Sequence, residues 1–331
     1  GPPLEGERLV RFIGDADGAI VSLERIVEPV LAQLPKLRVI AKYGKPDVIF
    51  TEFVSCDGLC SNGKKNLLPI LKFTKKERPV VAQIFGAKPE NFYESAKIIK
   101  KLDFDGIDIN MGCPDKKVLK QGAGASLINN PKLAQEIIRQ TKKGAGKLPV
   151  SIKTRIGYDK YDKKEFKKWL MALLEEKPAV ITIHGRTKKE MSLVPAHWNV
   201  VAEAVKIRNE FDPSANHTLI LGNGDIQSVA DAEEKARASD VDGVMIGRAI
   251  FGKPWLFDKN IGNISLKEKL PILLEHTKLF EKINKGKNFD VMKKHFKSYV
   301  SDFPRAKKLR IKLMNCKNAK EVEKIIIEVK L

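Results

Sequence analysis

Residues 106–117 read Gly-Ile-Asp-Ile-Asn-Met-Gly-Cys-Pro-Asp-Lys-Lys. A short apolar run stops at a lone Cys113 held between Gly112 and Pro114. Glycine and proline end the strand sharply, so the thiol is presented at the strand's C-terminal end. In chains that alternate β and α segments, active sites are built at that end. The alternative at this point is a structural cysteine, because free cysteines pack readily into cores.

Comparable runs lie on both sides, at 47–53, 79–86, 150–156, 179–185, 218–223 and 243–248. Amphipathic stretches separate them, at 89–101, 131–143, 163–176 and 228–238, the last opening on Ser228 as an N-cap. Runs apolar on both faces and separated by helices imply a parallel sheet. Seven such units, each ending in polar residues, predict an α/β fold of the (β/α)8 TIM-barrel type, with an open doubly wound sheet as the alternative. The eighth strand is expected within residues 1–38, where Ala19–Leu23 and Ile26–Leu31 both qualify. Beyond Phe257 the strand signal ends, and helical stretches follow at 266–283, 291–300 and 318–329. The expected organisation is a barrel over 1–258 and a small all-helical domain over 259–331.

The chain carries 61 Lys and Arg against 41 Asp and Glu, a net charge of +20. Residues 259–331 hold 19 basic and 8 acidic residues, so more than half of the surplus sits in under a quarter of the length. That segregation predicts a basic face for a polyanion, with RNA, DNA and an anionic membrane as candidates. No apolar run reaches the roughly 18–20 residues that span a bilayer, so no membrane insertion is expected. Cys56, Cys60, Cys113 and Cys316 show no disulfide spacing, which fits the reducing cytoplasm. Cys56 and Cys60 have no second ligand pair at zinc spacing, so no metal site is expected.

The last two strands end in Gly222-Asn223-Gly224-Asp225 and Gly247-Arg248-Ala249. Glycine-rich turns after the last two strands of a β/α barrel let backbone amides close on a phosphate, and Arg248 adds a positive fork. Gln83 lies among Val, Ala, Ile and Phe, where a buried amide can read the edge of a heterocycle. Lys153 sits within a barrel strand, and a buried ammonium asks for an anion such as a reduced, electron-poor ring. His184 ends the next strand, and Arg155 and Arg186 add positive charge at the mouth. A phosphate cradle, polar groups spaced for a flat ring and a facing thiol have the layout of a flavin mononucleotide barrel. There, an ordinary thiol is largely protonated at neutral pH and can act as a general acid.

The ordered motifs IFTEFV (49–54), VAQIFG (81–86), DINMGCP (108–114) with Lys116-Lys117, GAGASL (122–127), IKTRIG (152–157), HGRT (184–187), GNGDI (222–226) and GRA (247–249) cover about residues 38–315. Together they resemble the tRNA-dihydrouridine synthase family. The resemblance implies an FMN-dependent oxidoreductase that reduces the C5–C6 double bond of particular tRNA uridines with NADPH or NADH. It implies hydride delivery to C6 and protonation of C5 by Cys113. Gln83, Lys153 and His184 would contact the ring and ribityl region, and Asn223, Gly224, Asp225, Gly247 and Arg248 the phosphate end. Asn110 would line the uracil pocket, with Lys117, Arg155 and Arg186 also on the substrate side. The helical domain, including Tyr299 and the run 305–312, would bind tRNA, and no protein partner is implied. Residues 1–37 are atypical: the family's Ala-Pro-Met strand and Thr-Asp turn are absent, and Glu28-Pro29-Val30-Leu31-Ala32 keeps only the proline. Two other readings are an impaired RNA-binding protein on a decayed FMN barrel and a small-molecule FMN oxidoreductase of dihydroorotate dehydrogenase type.

Overall fold

The computed structural model describes residues 46–331 except 212, 214–217, 259–260, 263, 284–287, 302–305 and 330–331. The strand candidates within residues 1–38 therefore lie outside the described residues. The chain forms two compact units, of which one is Pro46–Gly247 and the other contains Arg248–Leu331.

The first unit holds one parallel sheet. Its strands are β1 (Ile49–Phe50), β2 (Val54–Ser55), β3 (Val80–Phe85), β4 (Gly106–Asn110), β5 (Val150–Arg155), β6 (Val180–His184), β7 (Leu219–Asn223) and β8 (Gly243–Met245). β1 and β2 both pair with β3, as two pieces of one interrupted segment. From β3 onward each strand pairs with its successor in the chain. A doubly wound sheet reverses its strand order at a switch point, and this one does not. The described residues thus supply seven successive strand positions in the sequential order of the TIM-barrel class.

The connecting helices are α1 (Pro89–Lys101), α2 (Lys116–Lys120), α3 (Pro131–Ala145), α4 (Lys163–Glu175), α5 (Trp198–Phe211) and α6 (Val229–Ser239). Local chemistry fixes their starts. The side chains of Asp115, Asn130, Asp162 and Ser228 accept N-terminal amides of α2, α3, α4 and α6. Strand alternation then separates two faces. Ile107, Ile109, Ile152, Ile181, Ile183 and Ile220 form one, in the same core as Phe92, Ile137, Trp169, Leu173 and Val201 of the helices. α5 and α2 were not among the sequence expectations.

The second unit is helical: α7 (Leu266–Ile283), α8 (Lys293–Tyr299), α9 (Ala306–Met314) and α10 (Ala319–Glu328). Its own core includes Trp255, Leu273, Phe296, Tyr299, Leu313 and Val322. Lys294, Lys297, Lys307, Lys308, Lys312 and Lys320 are exposed. Tyr299 is buried, with its hydroxyl 3.3 Å from His276 Nδ1. The His276 and His295 rings meet edge-on at 4.7 Å. No helix among the described residues is long and apolar enough to cross a membrane.

Two expectations arise from this packing. A Cβ at Gly144 would enter the Tyr93 carbonyl oxygen and approach Ala96 Cβ to 2.9 Å, so α1 and α3 need glycine there. Gly144→Ala should destabilise the chain by about 1–3 kcal/mol in denaturant titration. In the helical unit, burial lowers both His276 and His295, the latter to about 4, with His276 and Lys294 adding to the shift of His295. The neutral rings therefore favour the fold fully above the unfolded value near 6.5, and that contribution is lost as pH falls toward 4. Hydrogen exchange of residues 293–299, corrected for intrinsic rates, should accelerate between pH 7 and 5, and His295→Leu should flatten the dependence.

Candidate active site

The face of the sheet opposite the isoleucines carries almost every strand residue singled out from sequence. Strand register arranges them in rows. Gln83, Asp108 and Ser151 are aligned across β3, β4 and β5. Asn110, Lys153, Thr182 and Leu221 form the next row, and Arg155, His184, Asn223 and Met245 the last. The order runs toward the C-terminal ends of the strands.

Asp108 is fully buried and accepts hydrogen bonds from Gln83 Nε2 at 2.7 Å and Ser151 Oγ at 2.6 Å. Burial pushes its carboxyl upward, while Ser151, Gln83 and the Lys153 charge pull it back. Gln83 Oε1 accepts from Asn110 Nδ2 at 2.8 Å. Asn110 Oδ1 in turn accepts the backbone N–H of Gly112 at 3.1 Å and of Cys113 at 2.9 Å. Lys153 Nζ donates to Asn223 Oδ1 at 2.9 Å, and Asn223 Nδ2 donates to the Met245 carbonyl at 2.8 Å. Burial, with Arg155 adding to it, lowers the Lys153 ammonium to about 8.

Cys113 lies just past β4, 9% exposed, among Val118, Ala123, Phe85 and Ala87. Gly124 (φ 61°) closes on it from behind, since a Cβ there would lie 2.7 Å from the Cys113 carbonyl oxygen. Desolvation raises the thiol above its ordinary value, against smaller opposing effects of an Asp115 backbone hydrogen bond and of Arg155. At neutral pH the group is therefore a thiol with a proton to give, not a thiolate nucleophile.

The loop after β6 is pinned to the ends of its neighbours. Arg155 Nε donates to the Gly112 carbonyl at 2.7 Å and its Nη1 to the Thr187 carbonyl at 3.1 Å. Arg186 is buried: Nε donates to Val194 O at 2.5 Å, Nη1 lies 3.3 Å from His184 Nε2, and Nη2 pairs with Asp225. Asp225 also accepts the Ala196 N–H at 2.9 Å. Gly224 (φ 126°) leaves no room for a Cβ, which would lie 2.7 Å from Ala196 Cβ and 3.1 Å from His184 Cδ2.

Gln83, Asn110, Lys153, Arg155, His184 and Asn223 therefore share one face, with Cys113, Arg186, Gly224 and Asp225 at its C-terminal edge. Lys117 is exposed on α2, with its backbone N–H held by Asp115. Gly247 and Arg248 follow β8, both exposed, on either side of the division between the units. Asp108, Ser151 and Thr182 were not identified from sequence. Thr182 is fully buried, and its Oγ1 is the one buried side-chain polar atom without a partner among the described residues. A cationic Lys153, amides of both polarities and a waiting hydroxyl form a donor set suited to a flat heteroaromatic group that carries negative charge.

The chain matches the family model "Dihydrouridine synthase (Dus)" over residues 31–330. A probable tRNA-dihydrouridine synthase of Staphylococcus aureus (strain MRSA252) is 41% identical over 293 residues, which is 88% of this chain and 87% of the relative. Probable tRNA-dihydrouridine synthase 2 of Bacillus subtilis (strain 168) is 40% identical, covering 87% of each. Among solved structures, the old yellow enzyme homologue of Zymomonas mobilis aligns with TM-score 0.45 and 13% identity, over 78% of this chain and 84% of that one. With a family match across nine-tenths of its length and relatives at this identity, the chain belongs to the dihydrouridine synthase family.

Proposed function

We propose that this chain is a tRNA-dihydrouridine synthase, an FMN-dependent oxidoreductase that saturates the C5–C6 bond of uridine in tRNA. The observation that carries the reading is the placement of Cys113 at the C-terminal edge of a polar sheet face whose buried amides and ammonium suit a flat, anionic ring. A flavin held on this face and reduced by NADPH or NADH would supply the hydride for C6. Cys113 Sγ–H supplies the proton to C5, and the resulting thiolate regains its proton from solvent. Lys153 places positive charge beside the ring, and Asn223 holds Lys153 while its own amide is fixed by Met245. Gln83, His184 and Thr182 offer further ring contacts, and Gly224 lets the backbone at the end of β7 approach closely. Asp225 and Gly247 stand for the phosphate end, with Arg248 next in the chain, and Asn110, Lys117, Arg155 and Arg186 for the uridine side. The helical unit, with 19 basic residues against 8 acidic over 259–331, supplies the tRNA affinity that offsets unstacking of the target base. The working location is the cytoplasm.

Purified full-length protein should be yellow, with flavin absorbance released on denaturation. Mass spectrometry of tRNA from cells with and without the chain should map a uridine that gains two hydrogens. A colourless protein that takes up no added FMN would sink the reading. Cys113→Ala should lower dihydrouridine formation by about 10²–10⁴-fold with flavin content unchanged. Thr182→Val should raise the stability of the ligand-free protein by about 1 kcal/mol, by removing an unsatisfied hydroxyl, and weaken flavin retention. Flavin retention in Thr182→Val equal to that of the unaltered protein would take Thr182 out of the site.

A further inference from the structure

We propose that Asp108 is a positioning residue for Cys113, acting through a hydrogen-bond chain whose direction Asp108 fixes. The inference rests on Cys113 being the reacting thiol. Asp108 has no contact with the thiol itself. It begins the sequence Asp108, Gln83, Asn110 and the Gly112–Cys113 amides, four links at 2.7 to 3.1 Å.

Direction matters because Gln and Asn side chains each present a carbonyl and an NH2 of nearly equal size, so packing alone does not choose between two orientations. The far end of the chain demands one of them. Gly112 and Cys113 each present a backbone N–H, so Asn110 must turn Oδ1 toward them. Its Nδ2 then needs an acceptor, which is Gln83 Oε1, and Gln83 Nε2 needs another, which is Asp108 Oδ2. Asp108 meets that need, because both its carboxyl oxygens accept, Oδ2 from Gln83 and Oδ1 from Ser151. Reversing the chain would set NH2 of Asn110 against two backbone donors and leave buried groups unpaired. The Gly112-Cys113-Pro114 turn would lose the bonds that hold it against β4.

Ser151 makes the arrangement tolerant. Its hydroxyl donates to Asp108 Oδ1 at 2.6 Å, yet it can rotate and accept instead. If Asp108 is replaced by asparagine, Oδ1 can still accept from Gln83 while Nδ2 donates to an inverted Ser151. Only loss of both features leaves position 108 free to turn its NH2 toward Gln83.

The test uses full-length protein carrying Cys60→Ser, which removes the one exposed cysteine, and needs neither cofactor nor tRNA. Two quantities are read: iodoacetamide alkylation of Cys113 across pH 6.5–9.5, by peptide mass spectrometry, and hydrogen exchange of the Gly112 and Cys113 amides. Asp108→Asn and Ser151→Ala alone should each change both rates by less than about threefold. The double variant should raise both by tenfold or more and shift the alkylation profile toward that of an ordinary thiol, with β5 amides still protected. If the double variant does not fold, Gln83→Met, which cuts the chain below Asn110, should give the same signature. Multiplicative effects of the two single changes, or a double variant and a Gln83→Met variant that both leave the two rates unchanged, would overturn the proposal. Inactivity towards tRNA with this pattern intact would fault the assigned reaction and leave the positioning role standing.

Discussion

A carboxyl group with no solvent exposure stands in the middle of β4, and the strands around it are arranged to make it tolerable. Isolated burial of a charge costs several kcal/mol, so Asp108 needs donors on both oxygens and positive potential nearby. β3 supplies Gln83, and β5 supplies Ser151 and, one row on, Lys153. These residues come from strands adjacent in both sequence and space, and their alignment follows from parallel register. A slip of one residue would send each polar group to the isoleucine face and bring isoleucines inward. The same interactions that fix the register therefore fix the site.

The loops at the strand ends continue this logic with fewer charges. Arg155 donates to the backbone carbonyls of Gly112 and Thr187, and Arg186 to the Val194 carbonyl, the His184 ring and the Asp225 carboxylate. They hold three connections in one geometry. That leaves their charge in place near the thiol and the end of β7 while removing their freedom. Rigid placement of this kind is what proton transfer to a bound ring requires, since misplacement by an ångström is enough to lose a large part of the rate.

Most of the sheet is legible because a buried parallel strand leaves an unmistakable run, and four of the six connecting helices open on residues that cap by side chain. Helix α5 was missed because Trp-Asn-Val-Val-Ala-Glu-Ala-Val mixes strand-forming residues with weak amphipathic contrast. Gln83 and Lys153 stood out as polar intruders among apolar neighbours. Asp108 carries the same signal more faintly, because Gly-Ile-Asp-Ile-Asn reads as an apolar strand leading into the Gly-Cys-Pro turn, and its full burial shows only in the folded chain. A threonine is ordinary in a strand, and only its surroundings show that the Thr182 hydroxyl has no partner among the described residues. Arg155 and Arg186 read correctly as charges at the mouth, but their attachment to backbone depends on loop geometry that no spacing encodes.

The raised pKa of Cys113 bears directly on the proposed chemistry. A thiol made less acidic by burial is a weaker acid, so in the proposed reaction its proton would leave late, once the ring carbon had become basic. Such an order suits a reduction, because early ionisation would leave a nucleophilic thiolate facing an activated double bond. In the proposed reaction the thiolate left after transfer would be more basic than an ordinary one, and the 9% exposure of Cys113 would give it a path to solvent for its return to the protonated form. Burial deep enough to suppress the thiolate, with exposure enough to reload it, is the compromise that the Gly112-Cys113-Pro114 turn holds.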